Sequence, residues 1–228
     1  ILSALAPFLE QSMDLSERIA GLLAAYAPEA IERESLRIID EEVPEPRPFA
    51  GDEWAVARRL VHTTADFELL RHLRFTPDAV PAGVAVLRRG GEIFTDTAMA
   101  AAGIPERRLT PLGCRVTCLL NLPGVAEAAR ERGITRSLAA VESAGARLHG
   151  AVVAIGNAPT ALLGLLRLLE KDASLRPALV IGMPVGFVNA LEAKELLLNY
   201  DIPSISIEGR KGGSPLAAAT VNALAELA

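Results

Sequence analysis

Apolar and polar residues along this chain follow two different periods. In the first third, Leu15, Ile19, Leu22, Leu23 and Tyr26 recur at helical spacing, which predicts a helix with one apolar face over 15–26. Asp14 is placed to cap it. Pro28 opens a second predicted helix over 29–43. The segment Pro44-Glu45-Pro46-Arg47-Pro48 then reads as a stiff, extended connector. Asp52 is expected to cap a third helix carrying Arg58, Arg59 and His62. From about Pro81 the pattern changes to short β-like runs, at 92–95, 115–120, 151–155, 178–181 and 204–207. Helical stretches lie between and after them, at 81–89, 125–132, 137–144, 159–170, 186–199 and 215–227. Near-continuously apolar strands alternating with helices predict a parallel sheet covered on both faces. The fold class is therefore α/β, a doubly wound sheet of about five strands.

In such a sheet ligands bind beyond the carboxyl ends of the strands, so the residues there matter most. They are Asp96-Thr97, Gly156-Asn157-Ala158-Pro159-Thr160, Gly182-Met183-Pro184-Val185-Gly186 and Glu208-Gly209-Arg210-Lys211-Gly212-Gly213-Ser214-Pro215. Small residues let a bulky ligand approach the backbone. The helix starts that follow offer free N–H groups and the positive end of a dipole, suited to carboxylates.

Composition narrows the ligand. Half of the 228 residues are apolar, enough for a sizeable core, but only 4% are aromatic. That is little for a surface that stacks the bases of single-stranded nucleic acid. The net charge of −5 is also a poor match for sequence-independent nucleic-acid binding. The longest apolar run, 158–169, contains Pro159 and Arg167 and is too short to span a bilayer. No signal peptide is visible. Cys114 and Cys118 would stand about 13 Å apart on one face of a strand, too far for a disulfide. Two reduced, buried thiols fit a cytoplasmic protein.

Candidate chemistry centres on Arg58-Arg59-Leu60-Val61-His62-Thr63-Thr64-Ala65-Asp66-Phe67. His62 is one of three histidines, the side-chain type suited to proton transfer in the physiological range, and it stands beside fixed cations. It suits a general acid or base, a metal ligand or an ordinary surface position. A substrate carboxylate that neutralised the arginines would favour its protonated form. Asp66 orients the ring if the helix continues, and otherwise is a turn residue. Isolated histidines and a Cys-x-x-x-Cys spacing on a strand disfavour a metal site. The Gly209–Pro215 segment is neither a P-loop nor a nucleophile elbow. It reads as an anion site with two cations, Arg210 and Lys211, or as a flexible turn with solvated charges. Asn157 either only caps the helix that Pro159 opens or also meets a ligand. The lack of Gly-x-Gly-x-x-Gly disfavours a dinucleotide fold. Ser35 stands on a regular helix, where a small polar residue is tolerated.

Taken together, six ordered blocks resemble the precorrin-8X methylmutase family of cobalamin biosynthesis. They are Ser35-Leu36-Arg37-Ile38-Ile39-Asp40, the His62 stretch, Ile93-Phe94-Thr95-Asp96-Thr97-Ala98-Met99, Ile155 to Leu162, Ile181 to Val188, and Gly209 to Pro215. The resemblance runs from about Ile31 to Leu224 and implies a flavodoxin-like three-layer α/β/α domain, taken as 28–228, and a homodimer; residues 1–27 lie largely outside it and are taken as an N-terminal helical extension. It implies an isomerase that moves a methyl group between neighbouring carbons of ring C of a corrinoid macrocycle, with or without cobalt. No cofactor is called for, because no electrons or groups leave the molecule. The family's catalytic histidine falls on His62, and its substrate contacts fall on Arg59 and Ser35. Asn157, Arg210 and Lys211 are expected to hold further carboxylates. A tetrapyrrole carrier of the same fold, or a flavin-binding protein, would be the alternatives. Ala100 stands where a bulkier apolar residue is expected, a matter of local packing.

Overall fold

The computed structural model describes residues 15–228. The expected cap Asp14 lies outside them. The described chain divides into two compact units, with the boundary between Pro44 and Glu45, inside the proline-rich connector.

The first unit is helical over 15–24 and in α1 (Pro28–Glu42). On α1, Arg37 pairs with Glu34 and Glu41, one turn before and after it, the spacing at which helix side chains meet. Leu15, Ile19, Leu22, Leu23 and Tyr26 are all exposed.

The second unit holds a six-stranded sheet. Its elements are α2 (Gly51–Thr64), α3 (Leu69–His72), β1 (Leu73–Phe75), α4 (Ala79–Arg88), β2 (Glu92–Thr95), α5 (Ala98–Ala102), α6 (Glu106–Leu109), β3 (Arg115–Cys118), α7 (Val125–Arg132), α8 (Arg136–Ala144), β4 (Val152–Ile155), α9 (Pro159–Lys171), β5 (Leu179–Gly182), α10 (Ala190–Leu198), β6 (Ser204–Ile207) and α11 (Ser214–Leu227). The strand order is β1-β6-β5-β4-β2-β3. Every pair is parallel except β1 with β6, where Leu73 faces Ile207 and Phe75 faces Ile205. The five runs read from the pattern are the five parallel strands. β1 is the sixth. At three residues it is too short to show a period, and its pairing with β6 reaches across more than half the chain.

The three central strands β4, β5 and β6 are buried at every position, as a sheet covered on both faces requires. On one face α8, α9 and α10 share a core with Phe94, Val153, Ile155 and Val180. On the other, α11 lies against β4 and β5 and packs with α2, α4 and α5. Ser206 is polar but fully buried, and its hydroxyl donates to Gly182 O at 2.6 Å.

Two local expectations are corrected. Asp52 does not cap α2: the cap position is Ala50, and Asp52 and Glu53 sit in the first turn, where acidic groups favour the helix dipole. Cys118 is buried but Cys114 only half-buried, both thiols being free. Cys114 precedes β3, and its Sγ donates to Leu87 O at 3.2 Å. Among the described residues no helix is long and apolar enough to cross a membrane.

Candidate active site at the carboxyl edge of the sheet

Because β2, β4, β5 and β6 run parallel, the loops that follow them lie along one edge of the sheet. Strand order sets β6, β5, β4 and β2 side by side. The four glycine- and polar-rich segments singled out from the sequence are therefore neighbours in space.

The loop after β6 is held against the loop after β5. Gly213 has φ +135°, in the region that favours glycine, and its N–H donates to Met183 O at 2.9 Å. A Cβ on Gly212 would collide with that same carbonyl. The Gly186 N–H donates to Arg210 O at 3.2 Å. Two backbone groups of this loop, the Gly213 N–H and the Arg210 carbonyl, thus bind the β5 loop, while Arg210 and Lys211 are exposed. The Arg210 guanidinium carbon lies 5.4 Å from the centre of the Phe187 ring, a cation–π arrangement. Phe187 itself is 84% exposed, and Val185, Val188 and Met99 on the same edge are exposed as well.

Lys211 joins this loop to the segment that follows His62. Its Nζ lies 2.6 Å from both the Asp66 and Glu68 carboxylates. The pairing holds both carboxyls below their usual range and the lysine above its own. His62 itself stands in the last turn of α2 and is half-buried, with no hydrogen-bond partner among the described residues. Leu60 and Val61 beside it are fully buried. They fix the helix against the core and leave the imidazole at its margin. The helix stops at Ala65, which adopts a left-handed conformation with φ +51°. Asp66 is therefore a turn residue: its carboxylate accepts from Glu68 N at 2.9 Å and from Lys211, and does not orient the ring.

The turn after β4 is built differently. Asn157 does not cap α9, whose cap position is Ala158 with no side-chain bond. The start of the helix is instead closed by Asp96, from the end of the neighbouring strand β2. Its carboxylate accepts from Gly156 N at 3.0 Å, Asn157 N at 2.8 Å and Ala158 N at 2.8 Å. Asp96 is 1% exposed. Burial pushes its pKa up, and the three N–H donors pull the other way. The backbone N–H groups that the sequence offered to a ligand are thus already taken, and only the exposed side chain of Asn157 faces outward. Gly156 is needed for a separate reason: a Cβ there would come within 2.7 Å of Ser214 Cα. Thr97 caps α5 through Ala100 N, and its hydroxyl meets the Ser214 hydroxyl at 2.9 Å. Residues 95–97 therefore stitch the loops after β2, β4 and β6 together.

The remaining candidates point elsewhere. The Arg59 side chain is only 11% exposed and pairs with Glu226 near the end of α11, a carboxylate it shares with Arg108. Ser35 is half-buried on α1, and its hydroxyl donates to Ile31 O at 2.9 Å within its own helix. Sequence reasoning missed Asp96 as an internal acceptor. The available signal was an acidic residue directly after a strand whose neighbour ends in a glycine turn.

The edge thus presents exposed cations, an exposed amide, exposed apolar side chains and, on the segment tied to it through Lys211, a half-buried imidazole. This combination suits a large, flat polyanion with apolar faces. Comparisons with known proteins identify the family. The family model described as precorrin-8X methylmutase matches residues 30–227. The chain is 40% identical over 201 residues to the cobalt-precorrin-8 methylmutase of Priestia megaterium, covering 88% of each. It is 43% identical over 198 residues to the precorrin-8X methylmutase of a Sinorhizobium species, covering 86% of this chain and 93% of the other. The crystal structure of precorrin-8X methylmutase from Thermus thermophilus superposes with a TM-score of 0.81 at 47% identity, over 87% of this chain and 95% of the other. On sequence and fold together, this chain belongs to the precorrin-8X methylmutase family: it is an isomerase, an intramolecular methyl transferase of cobalamin biosynthesis that converts precorrin-8X to hydrogenobyrinate.

Proposed function

We propose that the methyl shift takes place at the carboxyl edge of the sheet, with His62 as the proton donor. The observation that carries this reading is the placement of a half-buried imidazole, without a hydrogen-bond partner among the described residues, on a helix end joined through Lys211 to a loop with two cations. The macrocycle, as precorrin-8X or its cobalt form, lies flat against the edge. Arg210 takes a peripheral carboxylate, Lys211 takes another by exchanging Asp66 or Glu68 for it, and the Asn157 side chain takes a third. Phe187 and Val188 offer apolar surface to the ring. Ser35 and Arg59 are assigned as substrate contacts on the family resemblance alone; in the structure the Arg59 guanidinium pairs with Glu226.

His62 gives a proton to a ring nitrogen. The electron-poor π-system that results favours migration of the methyl group between neighbouring carbons of ring C. The double bonds then rearrange and the proton is returned, so substrate and product have the same composition. No cofactor is required by that balance. A general acid of this kind contributes about 10²–10⁴-fold, and binding that bends the macrocycle toward the migration geometry adds to it.

The test is single-turnover spectroscopy of His62→Ala. The variant is expected to bind the coloured corrinoid product and to fail to convert precorrin-8X. Turnover near that of the parent protein would end the proton-donor role. A chromophore left unchanged by the parent protein itself would make the chain a carrier.

We further take residues 28–228 as the methylmutase domain, with 1–27 as an extension to it. A homodimer in the cytoplasm completes the reading. It is supported by the family resemblance, by the exposed apolar stripe at Leu15, Ile19, Leu22, Leu23 and Tyr26, and by two free thiols. Sedimentation equilibrium at a dimer mass is the expected result.

A further inference from the structure

Lys194 has no part in the reading above, yet its position is unusual. On α10 the positions Ala190, Ala193, Lys194 and Leu197 form the buried stripe. Lysine is almost never fully buried without a partner. Lys194 is nevertheless 0% exposed, the one buried cationic residue among those described. No carboxylate pairs with it there. Among the described residues its ammonium makes a single hydrogen bond, donating to Lys211 O at 2.8 Å. Glu195 and Glu208 line the open pocket beside α10 along with Lys194 but do not pair with the ammonium. A buried charge held by one carbonyl carries a desolvation cost, which a leucine at the same place on the stripe would avoid.

The bonded carbonyl belongs to the residue whose side chain reaches Asp66 and Glu68 beyond His62. It lies between Arg210 and Gly212, the two residues held against the β5 loop. One backbone atom of the cation loop is thus fixed from beneath while its side chains face outward.

We propose that Lys194 is a positioning residue, a buried latch that holds the Lys211 carbonyl and so sets the direction in which Arg210 and Lys211 present their charges to the substrate. It touches neither substrate nor the reacting atoms. The inference rests on the reading of this loop as a carboxylate site. Burial lowers the Lys194 pKa to about 8, as expected for an ammonium kept here for its hydrogen bond and not for an ion pair.

The test is Lys194→Met, which keeps the length and apolar stem of the side chain and removes the ammonium. Replacing a buried charge by an apolar group of similar volume is often neutral or stabilising. Resistance to urea is therefore expected to be equal or higher. At the same time the Gly213 amide should exchange its hydrogen faster. KM for precorrin-8X should rise about tenfold while kcat stays within about threefold, roughly the loss of one ordered contact. If Lys194→Met does not fold, Lys194→Leu, which likewise removes the donor and suits the apolar stripe, carries the same comparison. Unchanged Gly213 exchange with unchanged KM would overturn the latch, as would a variant that loses stability with no change in KM. Arg210→Ala separates the two levels of the argument. If it binds the corrinoid product as the parent does while Lys194→Met still frees the Gly213 amide, then the carboxylate-site reading has failed and the latch has not.

Discussion

Two turns on the same sheet edge carry nearly the same sequence signature and do opposite things. Gly156-Asn157-Ala158 after β4 and Gly209-Arg210-Lys211-Gly212-Gly213 after β6 both lead from a buried strand into a helix that begins with proline at its first turn. Either could receive an anion by its backbone. In the first, the anion is part of the protein: Asp96 fills the N–H groups from the adjacent strand. In the second, the Gly213 N–H and the Arg210 and Lys211 carbonyls are taken by the β5 loop and Lys194, and the positive charge is left on exposed side chains. The comparison teaches that a glycine turn at a strand end states only that backbone comes close. Whether it is closed or open depends on what the neighbouring strand delivers.

The comparison breaks most visibly at Asp96. Asp96→Ala should cost about 3 kcal/mol or more in urea unfolding, because three N–H groups lose their acceptor at about 1–3 kcal/mol for each one left unsatisfied. The variant should also gain what the parent lacks, stabilisation by formate or chloride at the vacated helix start. A variant as stable as the parent and indifferent to formate would show that the turn after β4 is not closed by Asp96.

A smaller effect is expected on the open side. Arg210→Ala should weaken binding of the corrinoid product roughly tenfold, the worth of one charge-assisted hydrogen bond. Its urea midpoint should stay within about 0.5 kcal/mol of the parent, as for an exposed substitution. Titration of the product's absorbance measures the first. Asn157→Ala should move affinity in the same direction by less, since it removes a neutral contact.

The smallest effect concerns pH, and its sign differs between the two turns. Asp66 and Glu68 are held below their ordinary range by Lys211. Their contribution is full above the usual carboxylate pKa and is lost as pH falls through the lowered values. Asp96 is raised by burial. Its contribution is therefore greatest in acid and falls as pH rises through the raised value. Asp66→Asn with Glu68→Gln should flatten the acid limb of the stability profile, and Asp96→Asn should tilt it the other way. Because the Lys211 pairs are largely exposed, 1 M salt should erase most of the first effect and little of the second.

Much of this molecule was legible before its structure. The five parallel strands came from short apolar runs, and 92–95 and 204–207 match β2 and β6 residue for residue. Val125–Arg132 likewise matches α7. What was not legible needed a partner far along the chain. β1 is defined by β6, 130 or more residues later. Asp96 looked like the end of a strand, and nothing nearby announces that Gly156, Asn157 and Ala158 will bring their N–H groups to it. Lys194 did leave a trace, a charged residue on an otherwise apolar helical stripe, but the stripe cannot say which carbonyl it meets. Arg59 read as a free cation beside His62, whereas its guanidinium is engaged at the far end of α11.

The sequence by itself therefore determined the class of fold and the family to which the chain is similar, because period and local spacing are written within a few residues. The tertiary structure alone decided which turn is closed by Asp96 and which is left open, and where Lys194 and Lys211 spend their hydrogen bonds. Those are pairings between segments tens to hundreds of residues apart, and a buried polar group takes whichever partner the packing brings within 3 Å.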